Sequence, residues 1–580
     1  MNNNINQNNN DRLWMDLFII TILTAIYFII FLGCRNLSIP DEGRYPEIAR
    51  EMLTSGNWVT PTINGVPFLD KPIMYYWIEA LSLKVFGINA WGARMPMATF
   101  GFIGVILSYV FARKFYNRKV GLLTAAILAC SPLYFLSAHY ANLDLEVANF
   151  LWVSALLMLL GIQYPYPSNK RRYFLYGAYI FGALAFLTKG LMGFAFPAMA
   201  IGIWILLLNR WKILKEMYLF SGAVLFVIII TPWLLLAQSQ NPQFLYYFFY
   251  YQQVLRFIGN NFHVSKIMGP WFYFLIMLIG MLPWSIYFIA KFKKGADLLW
   301  KNRFKDTVSL FMLIWSLSIF IFFSIPHTKL AGYILPILPT LAILMAKSIE
   351  SMSKSGITKA FIITHSIGNS VLIIAGLALF IFPAAQHKIP MWTIYPTFIP
   401  TGIIIIIGAI LSIHYLRANK LLSSMAVTVI AMMCFNIGVV LSTPIFDTKG
   451  SEDLTSQVLP LMQKNTKIIS YENYKEDIPF LLQRKVYIVS DWDNSSILKY
   501  DNWKREFYFG ITQYQQSHDG AWPQWYINKQ KFLEMWKNNS SVFVFTSQAY
   551  FDQLKKILVP EPKIIAHKKG YVVFTKSKIN

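Results

Sequence analysis

The sequence predicts an α-helical polytopic membrane protein of about 13 transmembrane helices, followed by a soluble α/β domain. Three observations carry that reading. Apolar runs of about 20 residues recur between Trp14 and Ser442, the length a helix needs to cross the hydrocarbon layer. The 580 residues are 56% hydrophobic and 14% charged, whereas soluble domains carry roughly 25% charged residues. Beyond residue 450 the long runs give way to short alternating stretches.

Taken in order, residues 1–13 are Asn-rich and polar and read as a disordered tail. The run from Trp14 to Leu32 is too long, and lacks the small-residue cleavage site, for a signal peptide, so it reads as a retained helix. Helices are predicted near 14–33, 91–112, 119–137, 145–163, 174–187, 191–209, 217–237, 271–290, 307–324, 330–347, 359–383, 398–416 and 422–442, within a membrane domain of residues 14–445. One set of alternate connections holds 21 Lys and Arg residues, among them Arg113, Arg171, Lys212, Lys293 and Lys347. The opposite set, after the first loop, holds five: Lys189, Arg256, Lys266, Lys329 and Lys388. The positive-inside rule makes the richer set cytoplasmic, which puts the loop at 34–90 and the tail outside. Topology thus accounts for much of the formal charge of +24, and no nucleic-acid signature accompanies it.

The tail at 450–580 reads as an α/β domain. Strands are predicted at 466–471, 485–490, 541–547, 563–568 and 570–576, and helices at 478–483, 527–536 and 549–558. Cys34, Cys130 and Cys434 lie in or beside apolar runs, so neither a disulfide framework nor a cysteine metal site is expected. There is no Gly-rich phosphate loop and no nucleotide fingerprint.

Charge beside hydrocarbon is costly, so a cluster there points to a site. The first loop carries Asp41, Glu42, Arg44, Glu47, Arg50, Glu51, Asp70, Lys71 and Glu79. The other outer connections add His139, Asp144 and Glu146, then Lys189, then Arg256 and His263, then His327, Lys329 and Tyr333. Groups gathered at one membrane face suit an anionic lipid head group. Pro46 suits a helix start, and Glu47–Leu53 has the pattern of a short interfacial helix. Tyr75, Tyr76 and Trp77 also favour the interface. Arg50, Glu51 and Glu79 read as structural, whereas a lone Lys189 in a tight turn between apolar helices has few structural uses.

The runs PDEGRYPEIAREML, FLDKPIMYYW, ANLDLE, TKG, RF with a following His and GPWFYF, and HTKLAGYILPILP resemble motifs of the bacterial polyprenyl-phosphate sugar transferases. These belong to the GT-C, protein O-mannosyltransferase-like superfamily, and the resemblance is nearest to the lipid A aminoarabinose transferase branch. It covers residues 10–445 and implies a multi-pass enzyme of the bacterial inner membrane, with its active site and C-terminal domain in the periplasm. The donor implied is a sugar linked to undecaprenyl phosphate, and the acceptor a lipid A phosphate. Carried over, Asp41 and Asp144 take the catalytic places. Lys71, with Arg44, Lys189, Arg256, Lys329 and Tyr333, takes the substrate phosphate. Asp70 and His263 fall where the family can bind a divalent metal; the family has Glu where this chain has Asp70, one methylene shorter. No nucleotide cofactor and no nucleic-acid partner are implied.

Two other readings stand beside this one: transfer of a polyprenyl-linked sugar to protein or another glycan, and a flippase for a lipid-linked sugar. Flippase-type folds place ionisable groups near the bilayer midplane and repeat internally. Here the charges gather at one face and the halves show no repeat.

Overall fold

The computed structural model describes residues 2–255, 268–326, 329–354, 358–385, 391–446, 449–492, 497, 502–538 and 541–576. The chain divides into two compact units. The first gathers Met1–Arg35, Arg94–Ile230 and Met268–Phe446. The second gathers Asn36–Ala93, Thr231–Ile267 and Asp447–Asn580.

The first unit is helical. Among the described residues nine helices are long and apolar enough to cross a membrane, and a tenth if Arg118–Cys130 and Pro132–Ala138, bent by 64°, form one span. The other predicted runs are helical too, but each departs from a simple span. Asn169–Lys189 carries four charges, Lys170, Arg171, Arg172 and Lys189; Met192–Leu208 has 17 residues; and the run at 271–290 splits into Phe272–Gly280 and Trp284–Lys301. The first helix runs from Asn2 to Ile29, which corrects the disordered tail read at 1–13. Once a long helix is nucleated, each further residue costs only propagation.

Two polar clusters inside this unit are paired across helices. Asp16, in the first span, accepts bonds from Tyr109 at 2.7 Å, Arg113 at 2.6 Å and Arg118 at 2.7 Å. An acid at that depth is tolerated because three donors converge on it. Elsewhere in the unit His365 Nε2 lies 2.8 Å from both Ser412 Oγ and Ser424 Oγ, interhelical hydrogen bonding of the kind that joins helices in lipid.

The second unit is built around a six-stranded sheet of order β5-β4-β3-β6-β8-β7. Its strands are β3 (Lys467–Tyr471), β4 (Tyr487–Val489), β5 (Tyr526–Ile527), β6 (Val542–Ser547), β7 (Pro562–Lys568) and β8 (Tyr571–Lys576). The first four pair in parallel, while β6–β8 and β7–β8 are antiparallel. Five strands lie where alternation placed them. β5 has only two residues, too short to show a period, and the Trp503–Ser517 helix was not anticipated. Ile469, Val489, Phe532, Trp536, Val544 and Phe574 share one buried core.

The first loop belongs to the same unit. Its β1 (Thr62–Ile63) and β2 (Val66–Pro67) form a hairpin whose turn residues Asn64 and Gly65 both have positive φ, 49° and 82°, as a tight two-residue turn requires. The Asn64 side chain accepts from Val486 N at 2.8 Å and donates to Val486 O at 2.9 Å, as a strand neighbour does. The loop helix runs from Asp41 to Ser55, so Pro46 lies past its first turn. It is also not an interfacial helix with a solvated polar side, because Glu47, Arg50 and Glu51 are all buried. Arg50 grips Glu47 with two bonds of 2.6 Å, and Glu51 accepts from Thr62 Oγ1 at 2.8 Å and Gly65 N at 3.1 Å. Tyr75 and Tyr76 are buried as well, packing edge-on against one another and against Tyr45 rather than at an interface. The tyrosine rings that read as interfacial are covered by protein instead, and Arg50 and Glu51 have protein partners, in keeping with their structural reading.

Candidate functional site

The candidate residues fall into two constellations, one in each unit. In the first unit Asp144 opens the Asp144–Ile162 helix and Lys189 lies in the last turn of Asn169–Lys189. An acid at a helix N-terminus and a base at a C-terminus are each favoured by the helix dipole. Lys189 Nζ donates to Asp144 Oδ1, and both side chains are buried. The same ammonium sits 4.1 Å from the centroid of the Tyr333 ring, a cation–π contact. Asn142 completes the setting: its Oδ1 accepts from Asp144 N at 2.9 Å and its Nδ2 donates to Asp144 Oδ2 at 3.2 Å. Two residues along, the buried Glu146 accepts from Thr188 Oγ1 at 2.8 Å. Lys329, also buried, donates to the carbonyls of Pro326 and, at 3.1 Å, Met268.

Tyr333 reaches Lys189 because Gly332 passes close beside Asp144. A Cβ at Gly332 would fall 2.1 Å from Asp144 Oδ2 and 2.9 Å from Asp144 Cβ. Gly332→Ala must therefore displace a carboxylate that Lys189 and Asn142 hold in place. The expected result is loss of about 100-fold in turnover, the scale of one misplaced reacting group, with the folded fraction in detergent little changed. Turnover within threefold of the parent refutes the requirement for Asp144 in that position.

In the second unit Asp41 opens the loop helix and Arg44 lies one turn in. Arg44 Nη1 donates to Glu506 Oε1 at 3.0 Å, and Nη2 lies 3.8 Å from Glu476 Oε1. Burial works against the Arg44 charge, but the two carboxylates outweigh it and hold the guanidinium above its ordinary range. Burial pushes the Glu476 carboxyl up, with Arg44 pulling the other way. Asp70 Oδ1 accepts from the Tyr247 hydroxyl at 2.5 Å and from Gln252 Nε2 at 2.8 Å. Burial and then the Asp70 charge raise the Tyr247 hydroxyl well above its ordinary range, so it stays a donor. Lys71 is half-buried beside Asp70.

Arg256 and His263 lie outside the described residues. Among the described residues no group of three or more His, Cys, Asp or Glu is gathered as a divalent ion requires, and Asp70 is occupied by two hydrogen-bond donors. Glu476, Glu506, Tyr247 and Gln252 were not anticipated. Their only sequence signal is an acidic or amide side chain far along the chain from the loop it meets.

Residues 70–236 match a family model described as dolichyl-phosphate-mannose-protein mannosyltransferase. The undecaprenyl phosphate-α-4-amino-4-deoxy-L-arabinose arabinosyl transferase of Edwardsiella ictaluri is 30% identical over 475 residues, covering 78% of this chain and 81% of the relative. The arabinosyl transferase 1 of that name from Pseudomonas fluorescens is 30% identical over 402 residues, covering 68% and 70%. Among solved structures, ArnT from Cupriavidus metallidurans bound to undecaprenyl phosphate superposes with a TM-score of 0.82 at 26% identity, over 97% of each chain.

Proposed function

This chain belongs to the undecaprenyl phosphate-α-4-amino-4-deoxy-L-arabinose arabinosyl transferase family, and from that premise we propose that it carries 4-amino-4-deoxy-L-arabinose from undecaprenyl phosphate to a phosphate of lipid A, at the outer face of the cytoplasmic membrane. It is a multi-pass membrane glycosyltransferase. The observation that carries the proposed chemistry is the supply of carboxylate-anchored cations, the partly buried Arg44 in one unit and the buried Lys189 in the other.

Breaking the sugar–phosphate bond builds negative charge on the departing undecaprenyl phosphate. Fixed cations stabilise that charge without reorganising at the moment of reaction. Lys71 and Arg44, with Lys189, Lys329, Tyr333 and Arg256, are the proposed phosphate contacts. Arg44 suits the part because Glu506 and Glu476 fix its fork before substrate arrives. Asp41 and Asp144 are the proposed catalytic carboxylates, orienting the acceptor phosphate and stabilising positive charge developing on the sugar ring. Asp144 is paired with Lys189, and the Asn142 amide donates to its Oδ2, which fixes the direction of the carboxylate. A cationic sugar added to an acidic lipid lowers the negative charge of the outer surface, and with it the attraction for cationic peptides.

Mass spectrometry of lipid A from strains with and without the chain tests the acceptor. An aminopentose-sized mass on a phosphate, present only with the chain, supports the reading; unchanged lipid A with altered glycoprotein sinks it. For the site, Lys71→Ala is expected to lower kcat/KM by about 10²–10³-fold, the loss seen when one charge-stabilising donor is removed. Asp41→Asn is expected to abolish transfer with membrane insertion intact. Near-normal transfer by both variants refutes the assignment.

A further inference from the structure

Within the second unit, Asp70, Tyr247 and, from the Trp503–Ser517 helix, Glu506, Phe509 and Gln513 enclose a small recess. It has room for about one water-sized group, ≈ 10 Å³, too little for a sugar ring. Its lining is rich in acceptors. Gln513 is 6% exposed, and its Oε1 meets no hydrogen-bond donor among the described residues. A buried acceptor left without a donor is costly, so one that persists calls for a ligand or ordered water. The two donors to Asp70, Tyr247 and Gln252, are both neutral and leave its charge unbalanced by them. Glu506, which accepts from Arg44, adds a second carboxylate to the lining. The Phe509 and Tyr247 rings, 5.2 Å apart, form an aromatic wall, and aromatic faces attract cations.

A small group that donates in several directions, accepts nothing and carries positive charge answers each of these features. A primary ammonium has three donors and no acceptor. We propose that this recess receives the ammonium of the sugar being transferred and so selects an amino sugar over a neutral one. The inference rests on the transferase reading above and adds to it the residues that read the sugar's charge. Gln513 acts here as a binding residue, remote from the bond that breaks.

The test compares two donors, undecaprenyl phosphate-linked 4-amino-4-deoxy-L-arabinose and its arabinose counterpart, which differ by an ammonium against a hydroxyl. The purified full-length parent is expected to favour the amino donor in kcat/KM. Gln513→Leu, which removes the acceptor at similar volume, is expected to cut that preference about tenfold, chiefly through KM. Gln513→Glu, nearly isosteric and negatively charged, is expected to keep or raise it. Equal use of both donors by the parent overturns the recess assignment while leaving the transferase standing. A recess that holds only water leaves the preference unchanged in Gln513→Leu, and a merely structural Gln513 lowers both donors alike; either result overturns the proposal. No transfer from either donor refutes the transferase reading itself, and the recess with it.

Discussion

Lys189→Met is expected to destabilise the helical unit by about 3–5 kcal/mol, because it strands the Asp144 carboxylate in a buried place without its cation. The side chain that replaces the lysine fills similar volume, so the penalty comes from charge and not from a cavity. Adding Asp144→Asn removes the stranded charge, and the double variant is expected to recover most of the lost stability while remaining inactive. Thermal unfolding in detergent, followed beside turnover for the two single variants and the double, separates these effects. If the double variant is no more stable than Lys189→Met alone, the pair is not what the lysine supports. The cation–π contact with Tyr333 gives a further comparison. Tyr333→Phe keeps the ring beneath the ammonium and is expected to cost far less than removal of the lysine.

Arg44→Met is expected to have an effect of similar size in the other unit, through repulsion. Glu476 and Glu506 share this one guanidinium, and its removal leaves two partly buried carboxylates near one another, at a cost of about 2–4 kcal/mol. The loss should depend on pH. Burial already raises the Glu476 carboxyl above its ordinary value of 4.5, and Arg44 is the leading influence holding it down. A carboxyl raised in the folded state contributes stability that is present below its unfolded pKa and disappears as pH rises through the folded one. Arg44→Met moves the folded value higher still, so the variant is expected to fall further below the parent at a pH above the ordinary carboxylate range than at one within it. Adding Glu476→Gln should flatten that slope. A deficit that is the same at both pH values, or a slope that Glu476→Gln leaves unaltered, contradicts this account.

Sequence reasoning recovers contacts that a local rule can express and misses those made between distant segments. Lys189 stood out because a lone lysine in a tight turn between apolar helices has few structural uses, but its pairing with Asp144, 45 residues away, was not anticipated. The helices show their runs, and five strands show their alternation. The loop was misjudged in one consistent way. Glu47, Arg50, Glu51, Tyr75 and Tyr76 carry the composition of an interfacial surface, yet all are buried in protein. Composition records that a group needs a polar or aromatic partner, but not whether water, lipid or protein supplies it. For Arg44 the partner Glu506 lies 462 residues away, and no periodicity spans that distance. Asp70 shows the same limit: its two donors, Tyr247 and Gln252, come from the segment at 231–255, far along the chain from the loop.

The second unit is assembled from three separated stretches of chain, and this sets an order of events during synthesis. Its first stretch ends at Ala93 and its last begins at Asp447, about 350 residues later. At about 5–20 residues per second, Arg44 is made roughly 20–90 s before Glu476 and Glu506, 432 and 462 residues further on, exist to receive it. Through that interval the nascent loop carries the charges of its future site with their final partners still unmade. The loop helix can therefore settle only once the end of the chain has arrived, and a chain stopped short of residue 476 cannot complete it.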